Sequence, residues 1–233
     1  MPKPKRLKWY FSLRSPYSWF AYRDLLAHNP DVLDAVEWFP VWEPDGWTSR
    51  LLADEGIDAL PYTDMSKAKG LYILQDTRRL ARSRGLAMTW PVDRNPVWEV
   101  SHLGYLVATD AGKGKEFLAA TYRARWENGF DISDPTVIAD VAREIGLDPV
   151  RVSTAHEDPV MRARGVEALR LVYKDGIFGV PMFMHGQDKF WGTDRLLDFV
   201  ASFRGTGVVQ PTPIEAPVLL TVGADTGHAG GCG

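Results

Sequence analysis

Strand-type patterning is confined to the two ends of this chain, and the long middle is helical throughout. Near the start, Leu7-Lys8-Trp9-Tyr10-Phe11 and Val36-Glu37-Trp38-Phe39-Pro40-Val41-Trp42 have the aromatic-rich, apolar composition of strands. Near the end, Val180-Pro181-Met182-Phe183-Met184 reads as a strand, His185-Gly186-Gln187-Asp188 as a solvated hairpin turn and Lys189-Phe190-Trp191 as its partner. Between the first two strands, Trp19, Phe20, Tyr22, Leu25 and Leu26 recur at helical spacing until His28-Asn29-Pro30. A sheet built from both ends of a chain must bring those ends together across whatever lies between them.

From about Glu43 to Asp158 the spacing predicts helices only. Tyr62 to Arg84 carries Met65, Leu71, Tyr72, Leu74 and Leu80 on one side, with Gly85 as a stop. Pro96–Thr109 and Lys115–Asn128 are two further helices, and Ser133-Asp134-Pro135 announces a fourth through Ile145. Asp158-Pro159 opens a helix that stops near Asp175-Gly176, and Gly192-Thr193-Asp194 caps a last one that ends at Arg204-Gly205. The order βαβ, helical block, αββα predicts an α/β protein: a thioredoxin-like core with an all-helical insertion after the second strand. The expected division is residues 1–43 and 159–205 for the core, 44–158 for the insertion and 206–233 for a flexible tail, in which Pro217–Val222 forms a stray strand. Pro181 falls where such folds carry a cis proline. A cis Val180–Pro181 bond is therefore expected, with an ordinary proline at the head of an edge strand as the alternative.

Several function classes drop out on composition. Of 233 residues 45% are hydrophobic, including nine Trp and ten Phe, which suffices for a large core. The net charge of −3, with Lys and Arg spread along the chain, recommends no nucleic-acid partner. No apolar run reaches the length of a membrane span, and Met1 leads through prolines and bases directly to the first strand, so a cytoplasmic protein is expected. The one cysteine, Cys232, excludes an intramolecular disulfide and any dithiol redox pair. The five histidines are scattered without paired ligand spacing, and no metal is expected.

The chemistry-bearing feature is Ser15-Pro16-Tyr17-Ser18, where the first strand turns into the first helix. Ser15 suits the N-cap and Pro16 the first helical position, so a hydroxyl stands beside unpaired backbone N–H groups at the positive end of the helix. On these residues alone, Ser15 reads first as a plain N-cap. Arg123, Arg125 and Trp126 either line a pocket for an acidic aromatic substrate or belong to surface packing.

Trp9-Tyr10-Phe11-Ser12-Leu13-Arg14-Ser15-Pro16-Tyr17-Ser18-Trp19 resembles the N-terminal motif of the family of 2-hydroxychromene-2-carboxylate isomerases and kappa-class glutathione transferases. Lys69-Gly70-Leu71-Tyr72 with Asp76 is similar to its insert-helix motif. Gly179-Val180-Pro181-Met182-Phe183 and Phe190-Trp191-Gly192-Thr193-Asp194-Arg195-Leu196 are similar to its C-terminal pair. The likeness runs in order over roughly residues 7–204. It implies a DsbA-like thioredoxin fold and a site for glutathione or another low-molecular-weight thiol, with Ser15 hydrogen-bonded to the sulfur. It further implies that Val180, ahead of Pro181, pairs with the cysteinyl backbone of the thiol. Thr193 and Asp194 would hold its γ-glutamyl end and Lys69 its glycyl carboxylate. Tyr17, Trp19 and Asp76 would flank the substrate. Each residue keeps a plainer role: Asp194 as helix-end charge, Lys69 as a solvated side chain, Asp76 as the partner of Arg79, Tyr17 and Trp19 as core or wall. Where the family commonly carries an acid three residues ahead of the serine, this chain has Ser12. The implied activity is thiol-dependent cis–trans isomerisation of an aromatic-degradation intermediate. The alternatives are kappa-like conjugation of electrophiles and a non-catalytic thioredoxin-like binding protein. A small molecule is the expected partner, with a homodimer open as the assembly.

Overall fold

The computed structural model describes residues 6–61 and 66–206. A single four-stranded sheet forms from β1 (Leu7–Phe11), β2 (Glu37–Pro40), β3 (Met182–His185) and β4 (Asp188–Trp191), in the order β2-β1-β3-β4. β1 runs parallel to β2, with Trp9 opposite Trp38, and antiparallel to β3, with Trp9 opposite Phe183. As a central strand, β1 is covered on both faces, which is why its sequence is a continuous aromatic run and not an alternation.

On one face lie α1 (Pro16–His28) and α10 (Leu196–Arg204). Trp9 stacks between Tyr22 of α1 and Phe183, with ring centroids 6.5 and 5.8 Å away, and Phe183 stacks in turn on Phe199 of α10 at 4.8 Å. The other face meets α9 (Pro159–Lys174), where the Tyr10 hydroxyl and Lys8 both donate to Asp175 just past the helix end. Between β2 and α9 the described chain is helical only: α3 (Gly46–Asp54), α4 (Lys67–Ser83), α5 (Glu99–Asp110), α6 (Gly114–Tyr122), α7 (Pro135–Glu144) and α8 (Pro149–Ser153). The predicted α/β order is thus the observed one.

Several boundaries differ from expectation. Pro30 opens a short extra helix, α2 (Pro30–Ala35), because Pro at the first helical position restarts the turn that Asn29 ends. The second strand is accordingly shorter than Val36–Trp42, although Val41 N–H still reaches the Phe11 carbonyl at 2.7 Å. The third strand begins at Met182, not Val180, since Pro181 has no N–H for the ladder. The helix expected over Lys115–Asn128 changes at Tyr122 into a π-helical turn, Arg123–Glu127. His185 is half-buried, with Nδ1 2.9 Å from the Ser202 hydroxyl, and not solvated. Leu71, Tyr72 and Leu74 are exposed, because α4 turns Thr77 and Ala81 toward the rest of the molecule. Met65, Pro217–Val222 and Cys232 lie outside the described residues.

One buried charge cluster fixes the exit from β2. Asp45 caps α3 through the N–H groups of Trp47 and Thr48 at 3.0 and 2.8 Å, and it accepts from Arg162 of α9 at 2.7 Å. The Asp45 N–H donates to Glu99 Oε1 at 2.8 Å, and Glu99 is fully buried. Arg162 also meets Thr48 at 2.8 Å and lies 4.6 Å over the Trp47 ring. α3, α5 and α9 are therefore tied to one another where the sheet hands over to helices.

Candidate active site

β1 ends at Phe11, and the turn Ser12–Ser15 leads into α1. Ser15 has extended backbone angles (φ −91°, ψ 120°), and its Oγ accepts from the Ser18 N–H at 3.2 Å, so it is the N-cap. Pro16 stands at the first helical position. Among the described residues, the Ser15 hydroxyl proton has no acceptor and the Tyr17 N–H no partner. The helix start thus presents two free donors and the positive end of its dipole.

The turn itself is held at every polar group of Ser12. Its N–H donates to Ser18 Oγ at 3.2 Å, and its carbonyl accepts from Ser15 N–H at 3.1 Å and from Tyr122 at 3.2 Å. Its hydroxyl lies 3.3 Å from His102 Nε2, to which Leu13 N–H also donates at 3.2 Å. His102, on α5, is completely buried, stacks on Trp42 at 5.3 Å and bonds the Trp98 carbonyl through Nδ1 at 2.7 Å. Burial pushes its imidazole down to about 3, and nearby Arg14 and Arg125 push the same way.

The second wall is the Val180–Pro181 segment, whose peptide bond is cis. The Pro181 carbonyl accepts from Gly192 N–H at 2.9 Å, whereas the Val180 N–H and C=O have no partner among the described residues. Pro181 stands directly ahead of β3, whose Met182 pairs with Tyr10 of β1. Trp191 packs over Gly179 so closely that a Cβ there would lie 2.6 Å from its Nε1. The 3₁₀ turn Thr193–Arg195 packs against α1, with Thr193 half-buried and Asp194 exposed and, among the described residues, free of ion pairs.

The third wall is α4, which also packs against α1. Tyr17 donates to Asp76 Oδ2 at 2.8 Å, and Arg79 occupies Oδ1 at 3.0 Å. Burial, then the Asp76 hydrogen bond, raises the Tyr17 phenol well above its usual value, so it remains a neutral donor. Lys69 lies in the first turn of α4, exposed and without an ion pair among the described residues. Trp19 is buried and stacks on Trp126 at 6.3 Å, which makes it a core residue behind the helix start.

The structure therefore brings Tyr17, next but one to Ser15 at the start of α1, onto Asp76 of α4, and packs the Thr193–Arg195 turn against α1. Arg125 and Trp126 are not surface residues. Arg125 is 4% exposed, holds Asp93 in a two-pronged pair at 2.8 and 2.9 Å, and lies within about 5 Å of the Trp98 and Trp126 rings. Arg123 is exposed and paired with Glu144. A cavity of about 230 Å³ opens at the end of β2, lined by Trp42, Glu43, Leu52, Ile57, Leu60 and Ile177 among others. Its Glu43 pairs with Arg14, the neighbour of Ser15, at 3.2 Å. Among the described residues, no three His, Cys, Asp or Glu converge on a point where a metal ion could be held. No described helix is long and apolar enough to cross a membrane.

Sheet order, the cis proline just ahead of β3 and the helical stretch after β2 define a thioredoxin-type protein of the DsbA kind. The model of the DSBA-like thioredoxin domain matches residues 6–203, and the chain belongs to that family. It is 26% identical over 202 residues to 2-hydroxychromene-2-carboxylate isomerase of Sphingobium xenophagum, covering 85% of this chain and 97% of the relative. A solved 2-hydroxychromene-2-carboxylate isomerase shares the fold at a TM-score of 0.66 and 20% identity, over 86% of this chain and 95% of that one. The cytosolic disulfide reductase DsbM of Pseudomonas aeruginosa, solved with GSH, does so at 0.57 and 17%, over 85% and 99%. These relatives bear out the resemblance read from the motifs, and the chain stands among enzymes of the DsbA-like family.

Proposed function

We propose that the protein is a cis–trans isomerase that uses a bound low-molecular-weight thiol, glutathione above all, on a conjugated acid of the kind met in aromatic degradation. The observation that carries this reading is the Ser15 hydroxyl at the start of α1, whose proton has no acceptor among the described residues, in a chain whose Val180 N–H and C=O likewise have no partner among them. A strand-like backbone pair at Val180 fits the cysteinyl unit of a peptide thiol. Asp194, exposed and without an ion pair among the described residues, suits its α-ammonium group, Thr193 the adjoining carboxylate, and Lys69 the glycyl carboxylate. When bound, the thiol supplies a nucleophilic sulfur that adds to the conjugated system and leaves after the former double bond has turned. Ser15 donates its proton as a hydrogen bond toward that sulfur, and with the Tyr17 N–H and the helix dipole it favours the anion. Tyr17, held by Asp76, shapes the substrate side, and Trp19 backs it from the core. Residues 44–158 act in this reading as an inserted helical unit that covers the site.

Calorimetry with glutathione, followed by thiol counting during turnover, tests the proposal. Binding together with a thiol returned unchanged supports the isomerase. Stoichiometric consumption of thiol by an electrophile would make the protein a transferase, and binding without acceleration of any ring-opening substrate would make it a binding protein.

A further inference from the structure

We infer that His102 is a positioning residue of the thiol site: as a neutral imidazole it clamps the Ser12–Leu13 segment and thereby fixes where Ser15 and the first turn of α1 present their donors. The role in catalysis rests on the thiol reading above; the clamp itself does not.

The hydrogen-bond inventory assigns the ring's tautomer. The Leu13 N–H can only donate, and it points at Nε2 from 3.2 Å, so Nε2 carries no proton. The Trp98 carbonyl can only accept, and it sits 2.7 Å from Nδ1, so Nδ1 carries the proton. The Ser12 hydroxyl then adds a second, weaker donor to Nε2 at 3.3 Å. A protonated imidazolium would face Leu13 N–H with a second N–H, and complete burial offers no water to relieve the clash. Trp42 stacked on the ring at 5.3 Å holds its plane. The clamp thus runs from Trp98, through a rigid ring, to the peptide three residues ahead of Ser15. With Tyr122 on the Ser12 carbonyl and Ser18 on its N–H, that peptide has no free polar group with which to drift. A serine at position 12 is compatible with this arrangement because it adds no charge to the ring.

Wild-type protein, His102→Asn and His102→Gln test the inference. Asn retains a donor for the Trp98 carbonyl but cannot reach Leu13. The Gln carbonyl reaches the place of Nε2 and keeps the clamp. In the ¹⁵N spectrum of the labelled wild-type chain, His102 should show a protonated Nδ1 and a bare Nε2 at neutral pH. The reverse tautomer or an imidazolium overturns the inference without any variant. Exchange of the Leu13 amide should quicken by about tenfold or more in the Asn variant and stay within about twofold of wild type in the Gln variant. Equal rates in all three forms would refute the clamp. With glutathione bound, the thiol pKa read from thiolate absorbance should rise by about one unit in the Asn variant and be restored in the Gln variant. A loosened Leu13 with an unmoved thiol pKa would leave His102 a structural residue and overturn its positioning role. Should the wild type bind no thiol, the proposed function falls, while tautomer and amide exchange still decide the clamp.

Discussion

Replacing Ser15 by Ala and, separately, by Asp separates its part as N-cap from its proposed part at the thiol. As N-cap, Ser15 Oγ accepts one hydrogen bond, from Ser18 N–H at 3.2 Å, at a half-exposed helix end. Loss of such a cap costs about 1 kcal/mol, so Ser15→Ala should be destabilised by that amount. Aspartate caps as well as serine and adds a charge that suits the helix dipole, so Ser15→Asp should match wild type within a few tenths of a kcal/mol. In the proposed mechanism the order reverses at the thiol sulfur. Alanine offers no donor there, and losing one preorganised donor to a developing anion costs about 100-fold in rate. Aspartate offers no donor either and sets a carboxylate beside the thiolate, so its rate should be as low as that of Ala or lower. Urea denaturation followed by tryptophan fluorescence measures the first quantity, with nine Trp for signal. Initial rates of glutathione-dependent isomerisation of a conjugated ring-opened acid measure the second. A stable Ser15→Asp with wild-type turnover would show Ser15 to be a cap and nothing more.

Three further outcomes follow from packing and charge. Arg162→Met removes the cation from buried Glu99 and from Asp45, and should cost about 3–5 kcal/mol in urea, with Glu99→Gln in the same chain recovering part of it. Gly104→Ala sets a Cβ 3.2 Å from Val152 Cγ1, 3.3 Å from Phe117 Cζ and 3.3 Å from the Val152 carbonyl, a backbone group that gives less readily than the end of a side chain. Overpacking of about 1–3 kcal/mol then outweighs the roughly 1 kcal/mol that Ala gains over Gly in a helix, so the melting temperature should fall and not rise. Stability should also decline on acidification. His102 titrates near 3 in the folded chain against an ordinary 6.5, so between these values the unfolded chain takes up a proton that the native one refuses. The slope is about 1.4 kcal/mol lost per pH unit going down, full stability being present above 6.5. Asp45 and Asp175, both held below their ordinary 3.8 chiefly by hydrogen bonds and nearby cations that overcome burial, add to the loss at the acid end. His102→Gln should flatten the slope between pH 6 and about 4, and an unchanged slope would mean that His102 is not buried as a neutral ring.

What was legible in the sequence was what neighbours in the chain decide. Ser15 and Pro16 specify a helix start within two positions, and both occupy the expected places. The aromatic runs at the chain ends announce strands because a doubly covered strand has no polar face to show. α3 was missed because it opens on Gly46, although Asp45 supplies a sound cap; the cap's second partner, Arg162, is 117 positions away. Apolar periodicity in Leu71–Leu80 marked a helix correctly, but it could not say which side would be covered. That was settled by Tyr17 reaching Asp76 and by Thr77 and Ala81 turning inward. His102 shows the same boundary at the site itself. Its sequence neighbours mark it only as one residue of an apolar helix, while its chemistry comes from Ser12 and Leu13, 90 and 89 positions upstream. Ser15 could be picked out because its cap is local, whereas the group that holds its turn in place is visible only once the fold has closed. The Val180–Pro181 pair is likewise flagged by a proline at the head of a strand, but that its Val180 N–H and C=O find no partner among the described residues is seen only once the chain has folded.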